Sequence, residues 1–391
     1  MVNVAVVGVG RMGSKHAKNL AKNIKGSNLV AVCDIDTQKA NYFAKLLNTH
    51  AYYDADEMLQ KEQLDAVVIA TPHYSHVAIA LKCLEKDINV LCEKPISVTT
   101  FEAKKLLEEY EKKENLICAM MYNQRTNRMY KKAKQLIQNN KIGKIQRVNF
   151  TITDWYRSQF YYNMGGWRAT WTGEGGGTLI NQCVHQIDLI QWLLGMPTSI
   201  ISYCKSEGRR ITTENDVSSI MRFEDQFNCM FSASTHEVPG ENRLEIAGDK
   251  GVIIIGKRFM KYRINKLAEN EINLRSKRDY GNKKDKTGRV FYSSYGLLSL
   301  IQDGIYGQQF RILKNFIECI ETKNKDGIIA DLSEGIKALT IINALNMSSW
   351  KEKEIAIPYS DEEYVTLLEE KVKEERVEMP PEESDEEENN G

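Results

Sequence analysis

Six residues near the N-terminus, Gly8-Val9-Gly10-Arg11-Met12-Gly13, follow the apolar run Val4–Val7 and precede a stretch of helical periodicity, Ser14–Ile24. Few folds accept a strand, a glycine turn and a helix in that order. Gly8 permits the tight turn, Gly10 leaves the backbone open to close approach, and Gly13 lets the helix pack against the strand. Leu29–Cys33 reads as a second strand and Ala40–Leu47 as a second helix. Strand-like runs at Ala66–Ala70, Asn89–Leu91 and Ile117–Met121 then alternate with helical stretches at His76–Glu85 and Thr100–Lys113. This alternation predicts βαβ units and an α/β domain with a doubly wound parallel sheet, whose ligands lie at the carboxyl ends of the strands.

The pattern changes after Tyr122. A helix is expected over Arg128–Asn139, followed by short strands at Gln146–Thr153, Ile200–Lys205, Asp216–Phe223, Asn228–Thr235, Arg243–Ala247 and Val252–Ile255. Turn residues such as Gly248-Asp249-Lys250-Gly251 join them, which predicts an α+β domain with a large open, mostly antiparallel sheet. Asn270–Tyr295 is polar and basic and reads as a long loop, and helical patterns return at Tyr306–Thr322 and Ser333–Trp350. The expected division is 1–122, 123–360 and an acidic, disordered tail, 361–391. Its final stretch, Glu378–Gly391, holds seven acids, no base and two prolines.

Composition excludes several classes. At 391 residues the chain exceeds the roughly 250–300 over which one core usually grows. Basic and acidic residues balance at 53 each, so no global field points to nucleic acid or a membrane surface. No apolar run approaches the roughly 20 residues of a membrane span, and Val4–Val9 is too short for a signal peptide. Eight cysteines without a CxxC or a regular spacing suit reduced, buried thiols and a cytoplasmic location. No metal site is expected.

The glycine turn, with a helix N-terminus behind it, suits a pyrophosphate. Asp34 ends the second strand, 21 positions after Gly13, where a carboxylate accepts from ribose hydroxyls and repels a 2′-phosphate. The expected cofactor is therefore NAD, with NADP possible because Lys39 is near; Asp36 is an alternative partner for the ribose. Two further strand ends carry Thr71-Pro72 and Cys92-Glu93-Lys94-Pro95. His76 follows the first of these at a helix start and is expected to face the cofactor. A lysine in a partly desolvated cleft can donate to an alkoxide, and a cis bond before Pro95 is plausible. Downstream, Gly175-Gly176-Gly177 leads to Asn181, His185 and Asp188, with Asn181 and His185 at i and i+4 on one helical face. His185 is expected to exchange protons near neutral pH, and Asp188 either orients it or is structural.

In this order and spacing, GVGRMG, Asp34, ATPxxxH (Ala70–His76), CEKP (Cys92–Pro95), YNQR (Tyr122–Arg125) and the GGG…H…D segment make residues 1–360 resemble the glucose–fructose oxidoreductase/inositol dehydrogenase (Gfo/Idh/MocA) family. The resemblance implies a Rossmann domain and a second sheet whose free face makes a homodimer or homotetramer. It implies Lys94 and His185 as the catalytic pair. The cofactor would be held by Gly8, Gly10, Arg11, Met12, Gly13, Asp34, Thr71, Pro72, His76, Glu93, Lys94 and Asn123. A small polyhydroxylated substrate would meet Asn181, Asp188, Tyr156, Trp167 and Arg168. Many members carry aspartate where this chain has Asn181, and an amide can only hydrogen-bond. The implied activity is NAD-dependent oxidation of a ring hydroxyl of a sugar, nucleotide sugar or inositol. The alternatives are an NAD-dependent glycosidase that oxidises the ring transiently, or a non-catalytic NAD-binding protein.

Overall fold

A computed structural model describes residues 1–224, 226–280, 289–294 and 307–378. Strands β1 (Val2–Val7), β2 (Ser27–Cys33), β3 (His50–Tyr52), β4 (Ala66–Ile69), β5 (Asn89–Cys92) and β6 (Cys118–Met120) form a parallel sheet in the order β3-β2-β1-β4-β5-β6. Both faces are covered, as a parallel sheet requires, so β4 reads Ala-Val-Val-Ile with every residue buried. Helices α1 (Gly13–Lys22), α2 (Thr37–Leu47), α3 (Ala55–Lys61), α4 (His76–Glu85) and α5 (Thr100–Glu111) make the crossovers. The order reverses between β1 and β4, placing the switch-point crevice beside the glycine turn.

Helix α6 (Arg128–Gln138) leads into the second sheet, which begins with β7 (Ile145–Ile152). After the short α7 (Gln159–Asn163) and α8 (Val184–Leu194) come β8 (Ser199–Lys205), β9 (Asp216–Phe223), β10 (Phe227–Ser234), β11 (Asn242–Gly248), β12 (Gly251–Gly256) and β13 (Phe259–Ile264). With β14 (Arg289–Ser294) and β15 (Ile355–Ala356) they form nine strands ordered β14-β13-β12-β11-β7-β10-β9-β8-β15. All pairings are antiparallel except β7 with β10. One face is buried against helices. The other is open, and the register aligns Ile201, Ile220 and Met230 in a row across it, Ile220 and Met230 being 41% and 47% exposed.

Three expectations change. The stretch Asn270–Tyr295 is not simply a loop: it contains most of α9 (Glu269–Arg275) and all of β14, which completes the sheet edge. The boundary at 122 does not isolate the first core, because α10 (Gly307–Thr322) returns to it. Ile312, Leu313, Phe316 and Ile317 are buried in one cluster with Val2, Val4, Val6 and Leu20. Nor does disorder begin at 361. After α11 (Glu334–Lys351) the chain forms α12 (Asp361–Glu378), anchored by Tyr364 and Leu368 at 0% and 5% exposure. Residues 379–391 of the expected tail and residues 281–288 of the expected loop lie outside the described residues.

Candidate active site

The glycine turn is built as the spacing requires. Gly8 has φ of +85°, and a Cβ there would lie 2.6 Å from the Ala70 carbonyl oxygen. A Cβ on Gly13 would lie 1.7 Å from the Gly8 oxygen, so only glycine lets α1 pack this closely on β1. A Cβ on Gly10 would meet nothing within 4 Å, which leaves that backbone open to a ligand. Helix α1 has no side-chain cap at Met12, and Arg11 is exposed beside it, so its N-terminal N–H groups suit phosphate oxygens. Asp34 Oδ2 accepts from Val9 N–H at 2.8 Å and Oδ1 from Asp36 N–H at 2.9 Å, tying the turn to the end of β2. Asp36 is the N-cap of α2 and pairs with Lys39 at 2.8 Å, so Lys39 is neutralised locally. These features fit the adenosine diphosphate half of a dinucleotide.

The neighbouring strand ends are locked together. His76 is fully buried, with Nδ1 2.7 Å from the Pro95 carbonyl and Nε2 2.8 Å from the Thr71 carbonyl. It braces the Thr71-Pro72 and Lys94-Pro95 turns from behind and offers no nitrogen to a cofactor, which corrects the expectation that it faces one. Ser75 Oγ donates to Thr71 Oγ1 at 2.7 Å. Glu93 is also buried, and His16 Nε2 of α1 donates to its Oε1 at 2.7 Å. Burial pushes the Glu93 carboxyl up, but His16 and then Lys94 bring it below its ordinary value, so it is ionised. Glu93 thus joins α1 to β5 from inside. Asn123 is buried, and its Oδ1 has no partner among the described residues.

Lys94, whose peptide bond to Pro95 is cis, reaches across to the second domain. Its Nζ donates to the Asn181 carbonyl at 2.8 Å and to Asn181 Oδ1 at 3.3 Å. Burial lowers the lysine pKa, and the nearby Glu93 and Glu174 oppose that shift. Asn181 lies in the turn before α8, whose N-cap is Cys183, so it does not share a helical face with His185. The glycine approach is enclosed: a Cβ on Gly177 would lie 2.1 Å from the Glu214 carbonyl oxygen.

His185 stands in the first turn of α8, its ring edge-on to Tyr122 at 6.4 Å, with Nδ1 buried and without a hydrogen-bond partner among the described residues. Burial, then the charge of Lys94, pulls its pKa to about 3. The expected near-neutral titration is therefore corrected: the imidazole is neutral throughout the physiological range. Asp188 is corrected as well. It is 0% exposed and bound to Arg125 and Gln191, so no substrate reaches it.

Of the aromatic and basic candidates, Trp167 packs its ring 6.0 Å from His73, and Arg168 lies over Trp167 while its Nη1 donates to Tyr161 Oη at 3.1 Å. The charge of Arg168 acts on both Lys94 and Glu174, so these two residues join the site. Tyr156 is 47% exposed, and its ring lies under Arg209. Glu174, Arg125 and His16 were missed. Glu174 is an acid directly before the glycine run, a signal visible in the sequence; Arg125 stands in the YNQR motif, where the sequence assigns it no role, and His16 is marked only by the tertiary contact it makes.

A glycine turn at the switch point of a doubly wound sheet, facing a lysine and a histidine contributed by two domains, defines a dinucleotide-binding oxidoreductase. Residues 2–122 match the family described as oxidoreductase family, NAD-binding Rossmann fold, and residues 130–254 match the Gfo/Idh/MocA C-terminal domain. The chain belongs to the Gfo/Idh/MocA oxidoreductase family. It is 26% identical to the scyllo-inositol 2-dehydrogenase (NAD(+)) of Bacillus subtilis, over 88% of this chain and 93% of that protein. It is 28% identical to the inositol 2-dehydrogenase of Rubrobacter xylanophilus, over 49% of this chain and only about half, 52%, of that relative. The WlbA dehydrogenase of Bordetella pertussis, solved with NADH and UDP-GlcNAcA, has the same fold, with a TM-score of 0.75 and 22% identity over 92% of this chain and 99% of that one. Among the described residues no helix is long and apolar enough to cross a membrane, and no group of His, Cys, Asp and Glu could hold a metal ion.

Proposed function

We propose that this chain oxidises a ring hydroxyl of a sugar, sugar derivative or inositol with NAD. What supports the reading is that Lys94, just past the carboxyl end of β5 and bonded across to Asn181 of the second domain, lies near enough to His185 for its charge to act on that ring, while the glycine turn is open to a ligand. Bound NAD supplies a hydride acceptor. The open backbone at Gly10 and the N-terminal N–H groups of α1 would hold its phosphates, in a turn that Gly8 and Gly13 shape, and Asp34 would accept from its ribose. The substrate hydroxyl sits between Lys94 and His185. Lys94 stabilises the oxygen as negative charge develops, and neutral His185 accepts its proton. Burial, and then the charge of Lys94, makes His185 a weak base in the free enzyme. An oxygen turning anionic between the two as its proton leaves offsets the Lys94 repulsion, so the proton affinity of His185 rises at that step; loss of the hydride then turns the alkoxide into the neutral carbonyl. Trp167 and Arg168 offer an aromatic face and a donor to the remaining ring hydroxyls. Support for a polyol substrate comes from the named activities of the inositol dehydrogenases and from the nucleotide sugar in the WlbA structure.

The same reading includes assembly into a homo-oligomer through the open face of the second sheet, supported by the exposed row at Ile220 and Met230 and by Tyr203 at 69% exposure. The test is a panel of polyols, sugars and nucleotide sugars with NAD and with NADP, followed by absorbance of the reduced cofactor. Net NADH with at least one polyol is expected. Cleavage of a glycoside without net NADH would assign the glycosidase chemistry instead, and NAD binding without any hydride exchange would assign a non-catalytic binding protein.

A further inference from the structure

Asn181 lacks the carboxylate that many family members carry at this position, yet a carboxylate stands directly behind it. Glu174 is 2% exposed, Asn181 Nδ2 donates to its Oε1, and its Oε2 accepts the Ala169 N–H at 2.7 Å. On its other side Asn181 turns Oδ1 and its backbone carbonyl to Lys94 Nζ. An amide has one donor end and one acceptor end. Rotating this one would set its NH2 against the ammonium and its oxygen against the carboxylate. Glu174 therefore decides which end of Asn181 Lys94 meets. The Glu174 carbonyl also accepts from His73 Nδ1 at 2.8 Å, fixing the ring that packs on Trp167.

We propose that Glu174 is a positioning residue that acts through Asn181, holding the amide oxygen on Lys94 and supplying, one link further back, the negative charge that Asn181 lacks. The charged and titratable groups around this line are few. Glu93, Cys183, Arg168, His73, His76 and His185 interact with Lys94, while Arg168, Lys94 and Glu214 interact with Glu174. Glu93 and Glu174 both raise the Lys94 pKa; Glu93 is ionised, while burial raises the Glu174 pKa from 4.5 to about 7, so the Glu174 charge is in place above about that pH, where lysine titrates.

The catalytic consequence rests on the dehydrogenase reading, but the effect on Lys94 does not, so the test has two arms. In the first, Lys94 is titrated without substrate by competitive acetylation with acetic anhydride across pH, read by mass spectrometry. Glu174→Gln is expected to lower its midpoint by about one unit, since an opposite charge has been removed. Asn181→Asp, which brings a carboxylate into direct contact with Lys94, is expected to raise it. In the double variant E174Q/N181D the pair is inverted: a donor amide now stands behind a carboxylate, and the midpoint is expected to return toward that of the wild type. In the second arm, Glu174→Gln lowers kcat about 10-fold or more through misplacement of Lys94, NADH affinity is unchanged, and the double variant recovers to within about 3-fold of wild type.

An unmoved Lys94 midpoint in folded Glu174→Gln overturns the proposal, as does a folded double variant that restores neither quantity. Should Glu174→Gln fail to fold, the Asn181→Asp midpoint decides. Should the wild type turn over no polyol, the dehydrogenase reading fails while the acetylation arm still decides the role of Glu174.

Discussion

Arg125 and Asp188 form a bidentate ion pair inside the protein, Nε–H to Oδ2 at 2.9 Å and Nη2–H to Oδ1 at 2.6 Å. Both side chains are at most 3% exposed, and Arg125 also reaches Glu334 of α11 at 3.0 Å. The pair therefore joins the end of the first domain, the helix bearing His185 and the long helix α11. Breaking a buried pair strands a charge and costs about 3–5 kcal/mol. Asp188→Ala is predicted to lose about that much in urea unfolding, while the folded fraction keeps its substrate KM. A raised KM with unchanged stability would restore Asp188 as a substrate ligand.

The glycine turn separates folding from binding. Gly13→Ala drives a methyl into the Gly8 carbonyl and is predicted to destabilise the fold and abolish NADH binding together. Gly10→Ala meets open space. Its melting temperature should stay close to wild type while NADH affinity falls at least about 10-fold, because the methyl occupies the approach of the pyrophosphate. Melting curves and NADH fluorescence titrations read the two effects separately.

Because the His185 pKa is held near 3, its imidazole carbon-bound proton should show no NMR titration between pH 5 and 8. His185→Ala is predicted to lower kcat by about 10²–10⁴-fold with NADH affinity unchanged. A midpoint near 6.5 in the spectrum would contradict the desolvated environment described for the ring.

Glu214 is fully enclosed and accepts the Gly177 and Leu179 N–H groups, yet burial raises its pKa from 4.5 to about 7. Between those values the native state holds more protons than the unfolded chain. The stability this group contributes is thus complete below about 4.5 and is lost as pH rises through about 7, up to about 3 kcal/mol. Glu214→Gln keeps the uncharged form at every pH. Relative to wild type it should gain stability steadily from pH 5 to pH 8, and parallel unfolding free energies across that range would refute the shift.

The C-terminal helix reaches the site through one carboxylate. Glu375 of α12 is 5% exposed and accepts from Trp171 N–H at 2.8 Å, from Thr172 N–H at 2.9 Å and from Thr172 Oγ at 2.7 Å, just ahead of Glu174. Glu375→Ala strands two buried N–H groups and is predicted to cost about 2–4 kcal/mol in urea unfolding. It should also lower kcat, with no loss of NADH affinity, since the glycine turn is untouched.

Much of this was legible because the first sheet repeats one rule. Its strands are buried on both faces, so each appears as an apolar block, and the chemistry sits just after the block ends, at Asp34, Thr71 and Lys94. Half-buried strands such as Asp216–Phe223 were equally plain from their alternation. What escaped depended on partners distant in the chain. Asp188 and Arg125 are 63 positions apart and neutralise each other, which turned a candidate ligand into a strut. His76 carried the right residue type at the right strand end, but its two nitrogens were consumed by backbone carbonyls. Helix α12 reads as a solvated acidic tail because its apolar residues are sparse; Tyr364 and Leu368 suffice because Tyr364 stacks on Trp350 and both side chains join the main buried core. The His185 pKa reflects enclosure by two domains, a property no local pattern encodes.

The return of α10 to the first core has a consequence for synthesis of the chain. When the ribosome has released residues 1–122, all six strands of the parallel sheet exist, but the apolar surface of Val4, Val6 and Leu20 still lacks Ile312, Leu313 and Phe316. The dinucleotide-binding half must wait for nearly two hundred further residues before it can close. A fragment ending at 122 should accordingly bind a hydrophobic dye such as ANS and fail to hold NADH, since it lacks both α10 and the later segment whose Ala330 and Leu332 bond to the backbone of β6. The order in which this protein is made is not the order in which its halves are completed.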